Sequence, residues 1–163
     1  MLDIDELIDH IRRIQSYTPA SSFGSVERLE RREGRRLPQD MLRFFSEFDG
    51  ARLFGSEYIV LDPDGVLPFD TVIHAVDPEV PHVPDSWIAF CRTRDGHWVG
   101  IDLEPTSAGG HPVAAFRQAG ECNGPTVEIV APSFACFLAF AMVSRRHPYW
   151  LDLDPVGHSR QAS

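Results

Sequence analysis

Apolar positions recur at helical spacing in the first fifty residues, which predicts three successive helices. Their approximate ranges are 3–15, 25–34 and 38–48. In each, apolar residues return about every 3.6 positions, as in a helix with one face turned to a core. Gly34 suits the left-handed position that ends the second helix, and Pro38 suits the first helical position of the third. We expect Asp49-Gly50 to end the third helix, and residues 17–22 to form a loop.

Beyond residue 50 the apolar pattern changes to the alternation typical of strands. Strands are predicted over residues 57–61, 87–93, 97–103, 113–117 and 127–130. Asp95-Gly96 is the clearest hairpin signal, because this pair supplies the positive φ angles of a tight turn. A last helix is predicted from its cap, Ser133, to about Ser144, with an apolar face at helical spacing.

The order of elements is helices, then strands, then a helix, which predicts an α+β fold rather than alternating βαβ units. We expect a mainly antiparallel sheet of about five to six strands, flanked by N-terminal helices and a C-terminal helix. The length of 163 residues suits one domain. Residues 1–150 are predicted to form this single domain, and residues 151–163 a loosely ordered C-terminal tail.

The net charge of the chain favours some classes of binding partner over others. The chain has 15 Lys and Arg against 24 Asp and Glu, a formal net charge of −9. Such a surface repels phosphate and anionic lipid headgroups, so neither direct nucleic-acid binding nor membrane binding is predicted. A basic protein is the partner that this charge favours. The alternative, that the charge only keeps the protein soluble, stays open.

Three cysteines, Cys91, Cys122 and Cys136, are an odd number and form no CxxC pair. This favours a reducing compartment over a disulfide framework. The acidic N-terminus lacks the features of a signal peptide, and no apolar stretch is long enough to span a bilayer. A cytoplasmic location is therefore predicted.

Catalytic and metal-binding motifs are missing from the sequence. The seven histidines show neither HxH nor HExxH spacing, and there is no nucleophile elbow, P-loop or dinucleotide fingerprint. We therefore expect no enzymatic activity, no cofactor and no metal site. A hydrolase that uses two of the abundant carboxylates stays open as an alternative, to be recognised by two close acids with shifted pKa values in a deep pocket.

Three segments of the chain resemble the SMI1/KNR4 family of the SUKH superfamily. The first has LPQD at residues 37–40, FF at 44–45 and DG at 49–50. The second is the hairpin with WIAF at 87–90, DG at 95–96 and VGID at 99–102. The third has APSF at 131–134 and FL at 137–138. The resemblance covers about residues 26–142, and departs from short family members by a Pro- and Asp-rich insertion at about 67–85 and by the long C-terminal tail.

The resemblance implies the fold first, and a function by analogy. Bacterial family members are often immunity proteins that bind a toxin directly, whereas fungal members act as scaffolds in cell-wall signalling. We therefore expect a protein that binds a cognate toxin, such as a basic nuclease domain, and blocks its active site stoichiometrically. The alternative is a scaffold or regulatory module with an endogenous partner.

Acids and aromatic residues of the predicted strands and loops are the candidate contacts with this partner. The acids would steer the encounter with a basic surface, and the aromatic residues would anchor it. The candidates are Tyr58, Asp62, Asp64, Asp70, Trp98, Asp102 and Glu104. For Trp98 and Asp102 a purely structural role in the hairpin is an equal alternative.

Overall fold

The structure, a computed structural model, describes residues 3–20, 24–117, 124–144 and 149–152. The helices there are α1 (Ile4–Ile14), α2 (Ser25–Glu33), α3 (Gln39–Phe45), α4 (Phe69–Val76) and α5 (Phe134–Ser144). The strands are β1 (Ser16–Pro19), β2 (Phe48–Leu53), β3 (Tyr58–Val60), β4 (Leu67–Pro68), β5 (Trp87–Thr93), β6 (Trp98–Asp102), β7 (Val113–Arg117) and β8 (Thr126–Ala131). Short 3₁₀ helices lie at Pro63–Gly65 and Tyr149–Asp152.

All eight strands belong to one sheet, in which every paired neighbour is antiparallel. The strand order is β1-β2-β3-β5-β6-β7-β8, and β4 pairs separately with β5. The predicted α+β fold with a mainly antiparallel sheet is confirmed. The sheet is larger than the five to six strands expected.

The sheet is covered unequally on its two faces. Helices α1, α3 and α5 pack together on one face and bury the main core, which includes Phe44, Phe90, Ile101, Phe134 and Phe137. On the opposite face, α4 packs on β5 and β6 and buries a smaller cluster around Phe69 and Phe116. Among the described residues, no other helix packs on the second face, so α4 covers only part of it.

The segment after α5 returns to the main core. Trp150 is only 1% exposed, and its ring lies 5.9 Å from that of Tyr58 and 6.0 Å from that of Phe137. The predicted tail lies outside the described residues from position 153 onward. Cys91 and Cys136 are buried, whereas Cys122 also lies outside the described residues.

Two local predictions were wrong. The third helix ends at Phe45 rather than at about residue 48, because Phe48 begins β2 and is buried there as a strand residue. Residues 17–19 of the predicted loop belong to the edge strand β1 (Ser16–Pro19), whose four residues are all exposed and show no alternation. The insertion at 67–85, for which no secondary structure was predicted, contains α4, which covers part of the second face of the sheet.

No helix in the described ranges is both long enough and apolar enough to cross a membrane.

Candidate functional site

A groove of about 450 Å³ lies beside strands β2, β3 and β5. Its polar and apolar walls include Arg52, Ile59, Asp62, Asp64 and Arg92. Arg52 alternates with Ala51 and Leu53, both buried in the main core, so its side chain points to the opposite face of the sheet. We call this feature the sheet-face groove and define it by those five residues.

Strand register extends the sheet-face groove to Trp98. Arg52 lies opposite Ile59, Ile59 opposite Arg92, and Arg92 opposite Trp98, so these four residues form one row across the sheet. Trp98 is half-buried and packs against the smaller core cluster. The candidate residues Asp62, Asp64 and Trp98 are therefore brought to one surface.

Two arginines of this row are available for a partner. Arg52 and Arg92 are exposed, and neither guanidinium group makes a hydrogen bond or an ion pair with any other residue that the structure describes. These two cations line the same groove as the carboxylates of Asp62 and Asp64. The sheet-face groove thus offers both signs of charge.

Arginines in α2 and just after it neutralise part of the predicted acidic surface. Arg28 donates to both carboxylate oxygens of Asp64, at 3.0 and 2.8 Å, and this hydrogen bonding lowers the pKa of Asp64. Arg35 pairs with Glu104 at 3.2 Å and with Asp85 at 3.3 Å. Both arginines therefore pair with acids that are distant in sequence.

Asp62 and Asp102 each accept a hydrogen bond from a backbone N–H group two or three residues further along the chain, which orients their carboxylates. The side chain of Asp62 accepts from the N–H of Gly65 at 2.6 Å and caps the 3₁₀ helix there. That of Asp102 accepts from the N–H of Glu104 at 3.0 Å. Asp62 is exposed and Asp102 is partly exposed, so both retain oxygens that a partner can reach.

Tyr58 was predicted as an aromatic anchor, but its place in the core is incompatible with that role. Alternation along β3 turns Tyr58 to the helix-covered face, where it is 0% exposed. Its hydroxyl lies 2.9 Å from that of Ser144, and burial raises the pKa of Tyr58 to about 12. A partner cannot reach this side chain without unfolding the core.

Asp70 belongs to a separate cluster on α4, which we call the α4 triad and define as Asp70, His74 and His82. The Nδ1 atom of His82 lies 2.9 Å from the carboxylate of Asp70, and Nδ1 of His74 lies 3.3 Å from it. The two imidazole rings stack at 4.2 Å. Sequence analysis singled out only Asp70, although the spacing of Asp70 and His74, one helical turn apart, was a signal for the pair.

Hydrogen bonds set the charge states within the α4 triad. The backbone carbonyl of Asp70 accepts from His74, which raises the pKa of His74 against the opposing effect of desolvation. Burial acts to raise the pKa of Asp70, but hydrogen bonds from His82 and the N–H of Val83 outweigh it and lower that pKa. The triad therefore favours an ionised carboxylate.

Comparison with models of known protein families supports the resemblance found in the sequence. Residues 22–158 match the model of the SMI1 / KNR4 family (SUKH-1), and this range includes all three segments that carry the resemblance. No curated protein shows significant similarity to the chain. Because the family match covers well over half of the sequence, the chain belongs to the SMI1/KNR4 family (SUKH-1).

Proposed function

We propose that this protein is an immunity-type protein that binds a cognate bacterial toxin and blocks the toxin's active site stoichiometrically. Its membership of the SMI1/KNR4 family carries the proposal, since bacterial members of that family are often immunity proteins. The protein acts by occlusion and contributes no catalytic step of its own.

The binding surface that we propose is the open part of the second sheet face with its neighbouring loops. Six of the candidate residues remain after Tyr58 is excluded: Asp62, Asp64, Asp70, Trp98, Asp102 and Glu104. Asp64 and Glu104 are paired with arginines, but these ion pairs are exposed. Replacing such an arginine by a cation of the partner therefore costs little free energy. Trp98 is a partly exposed aromatic residue on this face, of the type that anchors interfaces.

A basic toxin domain, such as a nuclease, is the partner that fits this surface. The net charge of −9 attracts a basic protein over a distance, and carboxylates around the sheet-face groove then meet its cations at close range. Arg52 and Arg92 provide counter-charges for acidic catalytic residues of the toxin. A standard interface of about 1,200–2,000 Å² would be enough to exclude the toxin's substrate.

Co-expression with candidate toxin domains, beginning with any that a neighbouring gene encodes, tests this function. We expect the protein to restore growth of cells that produce the toxin, to form a 1:1 complex in solution, and to abolish toxin activity at one equivalent. The variant Trp98→Ala should weaken binding at least about tenfold, since it removes an anchor.

The matched control is Val143→Ala, which shortens an apolar side chain that is 84% exposed on α5, away from the proposed surface. Thermal melting of both variants separates lost binding from lost folding. No complex with the wild-type protein would overturn the immunity function. Complex formation without any loss of toxin activity would instead favour the scaffold alternative.

A further inference from the structure

The α4 triad has the composition and the geometry of a metal site. Asp70 and His74 lie one turn apart on α4, and the chain after the helix returns to place His82 beside them. One ligand atom from each of the three lies within 4.8 Å of the other two. We propose that Asp70, His74 and His82 bind a divalent transition-metal ion such as Zn²⁺.

Distances within the α4 triad are close to those of a coordination sphere. Ligands bound to Zn²⁺ at about 2.0–2.2 Å in a tetrahedron lie about 3.4 Å from one another. The imidazole nitrogens of His82 and His74 lie 2.9 and 3.3 Å from the carboxylate oxygens of Asp70. Small side-chain adjustments therefore convert the cluster into three ligands of one ion.

The donor set selects the class of metal. Two imidazoles and one carboxylate suit zinc, iron, cobalt or nickel, whereas Mg²⁺ and Ca²⁺ prefer oxygen ligands alone. His74 and Asp70 are half-buried, with side chains 18% and 31% exposed, and His82 is 81% exposed. The ion would thus be held against α4 with one side open to water, which completes its coordination.

Backbone groups already hold two of the ligands in place. The N–H of Val83 donates to the carboxylate of Asp70 at 2.8 Å, and Nε2 of His74 lies 2.7 Å from the carbonyl oxygen of Val80. Metal-binding histidines usually donate their second N–H to such an acceptor, which leaves the other nitrogen free for the ion. In His74 that other nitrogen is Nδ1, which lies 3.3 Å from the carboxylate of Asp70 and 2.7 Å from its backbone carbonyl oxygen, so a bound ion would replace this second hydrogen bond.

The site joins α4 to the segment that follows it, since Asp70 and His74 come from the helix and His82 from the chain beyond it. A bound ion would cross-link this part of the insertion on the second face of the sheet. The proposal does not depend on the immunity function, because it concerns only the metal and the three side chains.

Titration of the full-length protein with Zn²⁺ alone, after chelator treatment and desalting, tests the proposal. Calorimetry should show one equivalent of bound Zn²⁺, and the melting temperature should rise because the ion binds the folded state. In Asp70→Asn and His82→Gln, the affinity of this equivalent should fall at least about tenfold. NMR signals of the His74 and His82 rings should shift on titration.

The matched control is His111→Gln, which removes a partly buried histidine whose Nδ1 contacts the carbonyl of Asp102 instead. This variant should bind Zn²⁺ as the wild type does. His82→Gln alters a side chain at the surface, so folding is retained and loss of binding reports on the ligand itself. Equal affinity in the wild type, Asp70→Asn and His82→Gln, or no binding to the wild type, would overturn the proposed site.

Discussion

Gly100 shows how a single position decides the packing of the second sheet face. It lies in the middle of β6, beneath α4, and a Cβ atom added there would lie 2.5 Å from the ring of Phe69. Phe69 is fully buried, at the start of α4, so its ring cannot move into solvent without loss of apolar burial. The missing side chain of Gly100 is therefore what allows α4 to lie against the sheet.

We predict that Gly100→Ala lowers the free energy of unfolding by about 1–3 kcal/mol, the usual cost of overpacking a core. Urea denaturation measures it. Gly124→Ala is the control, because a Cβ atom there meets no atom within 4 Å and the backbone needs no positive φ. If the two variants are equally stable, α4 does not pack on β6 as described.

At the scale of elements, Asp40 connects two helices that are distant in sequence. One carboxylate oxygen accepts from the N–H of Met41 at 2.8 Å, at the start of α3, and the other accepts from the N–H of Ala135 at 2.9 Å, in the first turn of α5. Ser133 caps the same turn through the N–H of Cys136 at 3.1 Å, as predicted. The Asp of the LPQD segment thus satisfies backbone donors that a helix leaves unpaired.

We expect Asp40→Ala to lower the free energy of unfolding by about 1–3 kcal/mol, because partly buried N–H groups lose a charged acceptor. Chemical denaturation followed by circular dichroism measures this loss. Asp9→Ala removes an equal charge from α1, where the side chain is 66% exposed, and should change stability little. If Asp40→Ala is as stable as Asp9→Ala, water molecules replace the carboxylate as the hydrogen-bond acceptor for these N–H groups.

For the whole molecule, charge is distributed unevenly rather than as a uniform acidic coat. Arg28 of α2 and Arg35, just after α2, pair with acids that are distant in sequence, so part of the predicted acidic surface is internally balanced. Arg52 and Arg92 add positive charge to the second sheet face. A partner therefore meets a patterned surface, which favours one orientation on binding.

If the acids around the sheet-face groove steer a basic toxin, association should slow markedly as salt rises from low to high concentration. Asp62→Asn with Asp64→Asn should reduce the association rate at low salt more than Asp5→Asn with Asp9→Asn, although both pairs remove two negative charges. Stopped-flow or surface-plasmon measurements give these rates. An association rate that does not depend on salt would remove this role from the acids.

Elements with strong local signals could be predicted from the sequence alone. The Asp95-Gly96 hairpin, the cap at Ser133 and the strand at 113–117 were found as expected, because turn chemistry, capping and alternation act over a few residues. Their order was enough to predict the α+β fold and the family. The missed edge strand β1 lacks such a signal, since all its residues are exposed and only pairing with β2 makes it a strand.

Only the tertiary structure decided which of the candidate residues share a surface. Sequence spacing identified acids and aromatic residues, but not that Tyr58 faces the core, that Arg28 and Arg35 pair with Asp64 and Glu104, or that His82 joins Asp70 and His74. These relations depend on strand register and on contacts across 12 to 86 residues of chain, which short-range patterns do not encode. Local physical chemistry thus determined the elements, and long-range packing determined the sites.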